Sequence, residues 1–382
     1  MLIELVGKFY DNHSLSIVNR NIALELSKIA EVQIVPIDSV NSLYNLDEET
    51  ISTLTSLETS RGVPDIQLRH SYPPILAWPN DAKTKVVFIQ PWEYSKAPFE
   101  WQYKFETFAD AVIVPSKYTK SVFINGGINP NKIHVVPNGY NHEVFNTTDN
   151  GIVIPELTDN KLNIVYVGNS QWRKGLDILL HVWSGIFTKA DNVRLIIKDN
   201  SRVYGKTQLL SDLVKRQYKT NCAEILYIDR ELSEQEMATL YRRSKVLVHP
   251  YRAEGFAMHV QEAMACGSVP VVSAEGPTDD FVTDKTGIKI PVNTRLVDIT
   301  DSAIFAIKPG DSVTLMGSHT AVKEPDLNAL ASILSNIYHS HDTEKYLAKY
   351  KPEYMVNTWA HVARLYLDVL TSVDSNQKVC RS

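Results

Sequence analysis

The strongest constraint on this chain is a rhythm: short apolar runs, each long enough for one buried strand, alternate with stretches of helical periodicity from end to end. The runs read LIELVG, VQIVPI, KVVFIQ, AVIVPS, IHVVPN, NIVYVG, VRLIIKD, EILYID, KVLVHP and SVPVVS. Strands separated by helices imply parallel sheets covered by those helices, the α/β class. Between NIVYVG and VRLIIKD the apolar residues Leu176, Leu179, Leu180, Trp183, Ile186 and Phe187 recur on one helical face, so this stretch reads as a βαβ unit. A second unit opens the chain, where Leu15, Val18, Ile22, Leu26 and Ile29 form a stripe between LIELVG and VQIVPI.

A chain of 382 residues exceeds what one hydrophobic core organises, and the polar, Gly- and Pro-containing stretch from Asn138 to Asn163 separates two strand-helix series. The expected division is an N-terminal domain over 1–148, a second domain over 149–350 and a terminal helix within 351–382. Open α/β sheets bind ligands beyond the carboxyl ends of their strands, so a ligand cleft between two such domains is expected.

The formal net charge of −5 excludes a broad nucleic-acid footprint, and any polyanion site must be local. Cys222, Cys266 and Cys380 have no paired spacing, which argues against a zinc site or a disulfide framework and for a reducing compartment. No run approaches 18 apolar residues, and the apolar start breaks at Gly7, too early for a signal peptide. The expectation is a soluble cytoplasmic protein, with peripheral membrane contact through a short amphipathic surface left open.

The clearest chemistry lies in HPYRAEGFAMHVQEAMACGSVPVV, His249 to Val272. Strand KVLVHP leads through YRAEG into a helix that ends at Gly267. Glu254 then stands at the start of that helix and Glu262 about two turns further on, where the two carboxylates could accept from hydroxyls at different points of one extended ligand. Gly255, Phe256 and Ala257 offer backbone N–H groups at a helix N-terminus, whose dipole favours an anion. The bland alternative is a helix with two solvated acids. His249 reads equally well as a hydrogen-bonded histidine at a strand end.

Upstream, NIVYVG runs into NSQWRKGLDILL, which puts Arg173 and Lys174 at or just before a helix start. Positive charge is disfavoured there, so two adjacent cations point to a bound anion, against the alternative of a solvated basic turn. A diphosphate fits, since Arg grips phosphate oxygens bidentately and Lys adds a compact charge.

At these residues the sequence resembles the family 4 retaining glycosyltransferases, which have two facing Rossmann-like domains, the GT-B fold. Gly168 with Lys174 and Gly175 matches the family's strand end and helix start, and Glu254 and Glu262 its acidic motif. VIVPSKYTKSVFINGGINPNKIHVVPNGYNHEVF, Val112 to Phe145, is similar to the segment leading out of the N-domain, and EYMVNTWAHVARLYLDVL to a terminal helix that crosses back onto that domain. The resemblance implies a nucleotide-diphosphate sugar as donor, a glycan or glycolipid as acceptor, retention of anomeric configuration and no required metal. By the same resemblance Glu254 touches the transferred sugar, Glu262 the ribose, Lys174 the diphosphate, and Gly255 to Ala257 the sugar or phosphate.

This chain departs from the family in having Asn169 after Gly168, which hands the second phosphate contact to Arg173, and only Gly7 where a Gly-rich turn follows the first strand. Ser14 is the expected cap of the first helix. Main chain near Ile228 and Arg230 is the candidate base site. For the acceptor side the candidates are His70, Gln90 and Glu93, with Trp92 and Trp101 as rings that could stack on a sugar or simply pack. A catalytically silent sugar-nucleotide or glycan-binding subunit and a GT-B epimerase are the competing readings. A Rossmann dehydrogenase is disfavoured by the absence of Gly-x-Gly-x-x-Gly after an early strand.

Overall fold

The structure, a computed structural model, describes residues 1–40, 46–157, 159–199, 221–298, 319–351 and 357–375. Cys380 and the start of the terminal segment, Glu353 to Val356, lie outside the described residues. The chain divides into two compact units, one of Met1–Gly139 with the segment from Asn357, the other beginning at Tyr140. Phe145 and Ile154 are already part of the second unit's core.

The first unit holds six parallel strands, β1 (Leu2–Gly7), β2 (Glu31–Pro36), β3 (Ile66–His70), β4 (Lys85–Ile89), β5 (Ala111–Val114) and β6 (Ile133–Val135), in the order β2-β1-β3-β4-β5-β6. The order reverses between β1 and β3, so the ligand-binding crevice of such a sheet opens beside those two strand ends. Its helices are α1 (Ser14–Leu26), α2 (Glu48–Leu57), α3 (Phe99–Phe108) and α4 (Lys117–Asn125). Helix α1 buries Val18, Ile22, Ala23 and Leu26. Its cap is His13 rather than Ser14: the His13 ring accepts the Leu15 N–H at 3.3 Å, and Ser14 is already helical.

The last helix (Trp359–Ser375) packs against α1 and buries Trp359, Val362, Ala363, Tyr366, Leu370 and Val373. Lys85, at the start of β4, donates to the carbonyls of Val373 and Asp374 and so satisfies the end of that helix.

The second unit also has six parallel strands, β7 (Leu162–Val167), β8 (Val193–Lys198), β9 (Glu224–Ile228), β10 (Val246–His249), β11 (Val269–Ser273) and β12 (Ile288–Ile290). Their order, β12-β11-β10-β7-β8-β9, is the Rossmann order, with its switch point between β7 and β10. Helices α5 (Leu176–Ile186), α6 (Glu234–Arg242), α7 (Met258–Ala265), α8 (Leu327–His339) and α9 (Thr343–Leu347) belong to it, as does an antiparallel pair, β13 (Val292–Asp298) and β14 (His319–Pro325).

Alternation along β7 feeds two cores, since Ile164 and Tyr166 pack with Trp183, Phe187, Leu330 and Leu334, while Val165 packs with Tyr241, Val260 and Met264. Burial on both faces explains why these strands read as continuous apolar runs. Among the described residues no helix is long and apolar enough to cross a membrane.

Candidate active site

The switch point of the second unit is built by two connections that lock together. Strand β7 ends beside Gly168 and Asn169, and a single 3-10 turn, Trp172–Lys174, follows before α5. The turn is joined to α5 by Gly175 in the left-handed conformation, φ 73°. A Cβ there would sit 1.8 Å from the carbonyl oxygen of Pro250, so only glycine lets the turn press onto the exit of β10. The contact is sealed by the Arg173 carbonyl, which accepts from the amides of Arg252 (2.7 Å) and Ala253 (3.3 Å). Asn169 is buried as well, its side-chain oxygen taking the Gln171 amide at 3.2 Å.

This docking brings Arg173 and Lys174 to Glu254. Lys174 Nζ lies 2.5 Å from Glu254 Oε2 and Arg173 Nη1 3.5 Å from Oε1. His249 Nε2 stands 3.2 Å from the same Oε2, and the Gly255 amide donates to Oε1 at 3.0 Å. Glu254 is only 6% exposed. Burial by itself would raise its carboxyl, but Lys174, then Arg173 and His249, outweigh that and hold it well below the usual range. Burial pushes the His249 imidazole down to about 4, against the pull of Glu254, and drives His259, whose ring lies 4.3 Å from that of His249, well below its usual value. The imidazoles are therefore neutral near pH 7, and two cations face one carboxylate. Two cations beside one buried carboxylate suit an incoming anion.

Arg252, in the middle of the sequence motif yet not singled out there, holds the frame. Its guanidinium pairs bidentately with Asp177 of α5 (2.8 and 2.7 Å) and reaches Glu324 of β14 (3.0 and 2.9 Å). It also donates to the Trp172 carbonyl at 2.7 Å and lies 4.1 Å over the Trp172 ring. An Arg in a polar loop gives no periodicity signal. Only its adjacency to Glu254 could have drawn notice.

Helix α7 starts at Met258, later than the sequence suggested, because Ala257 takes a left-handed φ of 74° and cannot continue a helix backwards. Glu254 thus sits in a loop ahead of the helix, and of the amides expected to await an anion, that of Gly255 is engaged by Glu254. Phe256 packs on Phe281 at 5.3 Å. Glu262, half-buried on α7, accepts from the Tyr241 hydroxyl at 3.2 Å, and burial, then Glu234, pushes its carboxyl up to about 7. Ile228 closes β9 with a buried side chain, and Arg230 just beyond pairs with Glu236 at 2.8 Å and Glu156 at 3.7 Å.

In the first unit, His70 is not a loop residue. It ends β3, buried, with Nδ1 2.8 Å from Asn19 Oδ1, Nε2 unpartnered, and burial followed by His13 lowering it to about 3. Gln90 follows β4, 1% exposed, with an unpartnered Oε1. Of the two readings left open for Trp92 and Trp101, packing describes their setting: both rings are buried 4.9 Å apart, and Trp101 packs on Phe105 and Phe123. They are core. Glu93 is half-buried, its carbonyl accepting from the Tyr118 hydroxyl at 3.3 Å.

Two family profiles match the chain: the one described as Glycosyl transferases group 1 over residues 147–305 and the one described as Glycosyltransferase Family 4 over residues 51–144. D-inositol 3-phosphate glycosyltransferase 1 of Catenulispora acidiphila is 26% identical over 185 residues, 47% of this chain and 43% of that protein. The MMP alpha-(1->4)-mannosyltransferase of Mycolicibacterium hassiacum is 25% identical over 178 residues, 45% of this chain and 39% of that protein. The matched stretch thus spans less than half the length of these relatives. Among solved structures, Anabaena HepE with UDP and glucose aligns with TM-score 0.61 at 14% identity, covering 97% of this chain and all of that one. Sucrose-phosphate synthase from Thermosynechococcus elongatus aligns with TM-score 0.65 at 15% identity, covering 97% and 99%.

Proposed function

We infer, for a chain that belongs to the family 4 glycosyltransferases and has their GT-B fold, that it transfers a sugar from a nucleoside-diphosphate sugar to a glycan or glycolipid hydroxyl with retention of configuration. The observation that carries this reading is the convergence of Arg173 and Lys174 on one buried carboxylate, Glu254, at the switch point of a Rossmann sheet. The paired cations fit a diphosphate, and Glu254 beside them is an acceptor for hydroxyl groups of the transferred sugar. Glu262, one side of α7 further on, takes the ribose hydroxyls, and main chain beside Ile228 and Arg230 takes the base.

In the reaction the bond from the anomeric carbon to the diphosphate oxygen breaks while that carbon bonds the acceptor oxygen on the same face. The acceptor's proton passes to the departing phosphate oxygen. Lys174 and Arg173 stabilise the charge that develops on the leaving group, which makes a metal unnecessary for that task. His70, Gln90 and Glu93 are the acceptor-side candidates, and the acceptor's membrane or soluble character follows from its chemistry.

The test is a thermal-shift panel of UDP-, GDP-, dTDP- and ADP-sugars, followed by turnover with whichever stabilises the protein. A donor at a hundred times its Kd adds about 2.7 kcal/mol of stability. Glu254→Ala should keep the shift and lose transfer, and Lys174→Ala should lose both. No shift with any donor sinks the reading, and a shift without turnover by the wild-type chain favours a binding subunit.

A further inference from the structure

His249 closes β10 fully buried, and the donor site as described gives its ring no task. Its Nε2 lies 3.2 Å from Glu254 Oε2, the oxygen that also takes Lys174 Nζ at 2.5 Å. An ionised carboxylate has no proton to give, so the proton of this contact belongs to His249 Nε2. The neutral ring then has a bare Nδ1, and Nδ1 is buried with no partner. The ring plane is set by packing: His259 lies edge-on at 4.3 Å and 88°, Tyr251 at 5.2 Å and Tyr166 at 6.2 Å.

We propose that His249 is the positioning residue that keeps Glu254 ionised and aimed once a nucleoside diphosphate draws Lys174 and Arg173 away, a role that rests on the donor reading above. The cations sit on a turn and are attracted to phosphate. His249 sits on a strand, is neutral, and has no comparable attraction. Of the groups facing Glu254, Lys174 and Arg173 come from the turn and His259 from α7; the hydroxyls of Tyr166 and Tyr251 donate to the Asn169 and Ser273 carbonyls. Asp177 and Asp199 act on Tyr166, whose ring packs beside that of His249. With the cations on the diphosphate, His249 and the Gly255 amide are what remains to hold the carboxylate. Without the imidazole proton Glu254 would take up a proton itself and lose an acceptor for the sugar hydroxyl.

The experiment compares the whole wild-type chain with His249→Gln, which retains a side-chain N–H donor, and His249→Phe, which retains a ring without one. Imidazole nitrogen NMR with and without UDP should place the His249 proton on Nε2 in both states. With the donor selected by the panel, His249→Phe should lower kcat about 10- to 100-fold, the range for a hydrogen bond to a charged group, leave donor KM unchanged and move the acid limb of the kcat profile to higher pH. His249→Gln should recover most of kcat and the wild-type limb. Near-UV circular dichroism and melting confirm that each variant is folded. A proton on Nδ1 with UDP bound overturns the proposal, as does an equal loss in both variants with no movement of the limb. Those outcomes leave UDP binding intact. Failure of the donor reading looks different, as no binding of any nucleotide, and it removes this proposal with it.

Discussion

Each unit has a glycine where its first strand ends, Gly7 as the last residue of β1 and Gly168 just after β7, and closes the strand across the switch point with a histidine, His70 and His249, yet their loops are wired for opposite purposes. After β1, the amides of Phe9 and Tyr10 donate to Asp38 at 2.8 and 2.9 Å, and that of His13 to Asp11 at 2.8 Å. Arg20 turns its guanidinium onto the carbonyls of Phe9 (2.8 Å) and Asp11 (2.5 Å). Three amides that could cradle a phosphate are taken by the unit's own carboxylates, and Arg20 by backbone carbonyls. After β7, the loop instead delivers two cations to a single carboxylate. A shared sheet geometry supplies the crevice, and loop chemistry decides whether an anion can use it.

The largest expected effects fall on the glycines that close the two crevices. Gly175→Ala would drive a Cβ into the Pro250 carbonyl at a left-handed φ, and a loss of about 3–5 kcal/mol in urea unfolding is expected. At Gly7 the added carbon meets Asn19 Nδ2 at 2.4 Å and the His70 carbonyl at 2.5 Å, and because the amide can partly yield, a loss of about 2–3 kcal/mol is expected. A Gly7 variant weaker than the Gly175 variant would contradict the view that the second crevice is the more rigid.

Next comes charge. Lys174→Ala should cut transfer by about 10²–10³, the cost of losing one donor to a transition-state anion, and abolish the melting shift with the donor that the panel selects. Asp38→Asn should cost about 1–2 kcal/mol of stability by weakening two amide bonds while leaving the donor's melting shift unchanged. If the Asp38 variant altered nucleotide binding, the division of labour between the loops would be wrong.

The last effect sharpens the comparison through pH. His70 and His249 are lowered in the folded state, to about 3 and about 4, so the unfolded chain binds their protons first, and stability falls as pH drops below about 6.5. From pH 7 to 5 each histidine contributes a loss of about 2 kcal/mol. Glu262, raised to about 7, has the opposite sign: the folded state takes up its proton first, and stability rises by about 2 kcal/mol over the same interval. Glu254, held low, contributes stability that is lost only as pH falls below its ordinary range. His70→Gln should therefore reduce acid sensitivity and Glu262→Gln increase it, measured as unfolding free energy at pH 7 and 5.

Much of the sheet architecture was legible in the sequence because both faces of the strands are buried and the apolar runs are continuous. Strand β3, IQLRH, was not. Its Gln67 and Arg69 are satisfied by Glu4 and by the carbonyls of Ile75 and Ala77, partners that no periodicity reveals. The antiparallel β13 was missed because most of its side chains are exposed. In the site, the residue types were readable from local context, but the contact of Lys174 with Glu254 bridges residues far apart in the chain and depends on Gly175 docking at Pro250. The choice between stacking and packing for Trp92 and Trp101 was not legible, because one aromatic looks like another until burial is known.

Arg252 makes the turn before α5, the loop after β10 and strand β14 answerable to one side chain. In engineering terms it is a shared node: a change introduced far away on the β13–β14 ribbon, at Glu324 for instance, can reach the placement of Arg173 and Glu254 without touching either. Attempts to retune this protein by grafting a different ribbon should therefore carry Asp177, Arg252 and Glu324 as one inseparable module.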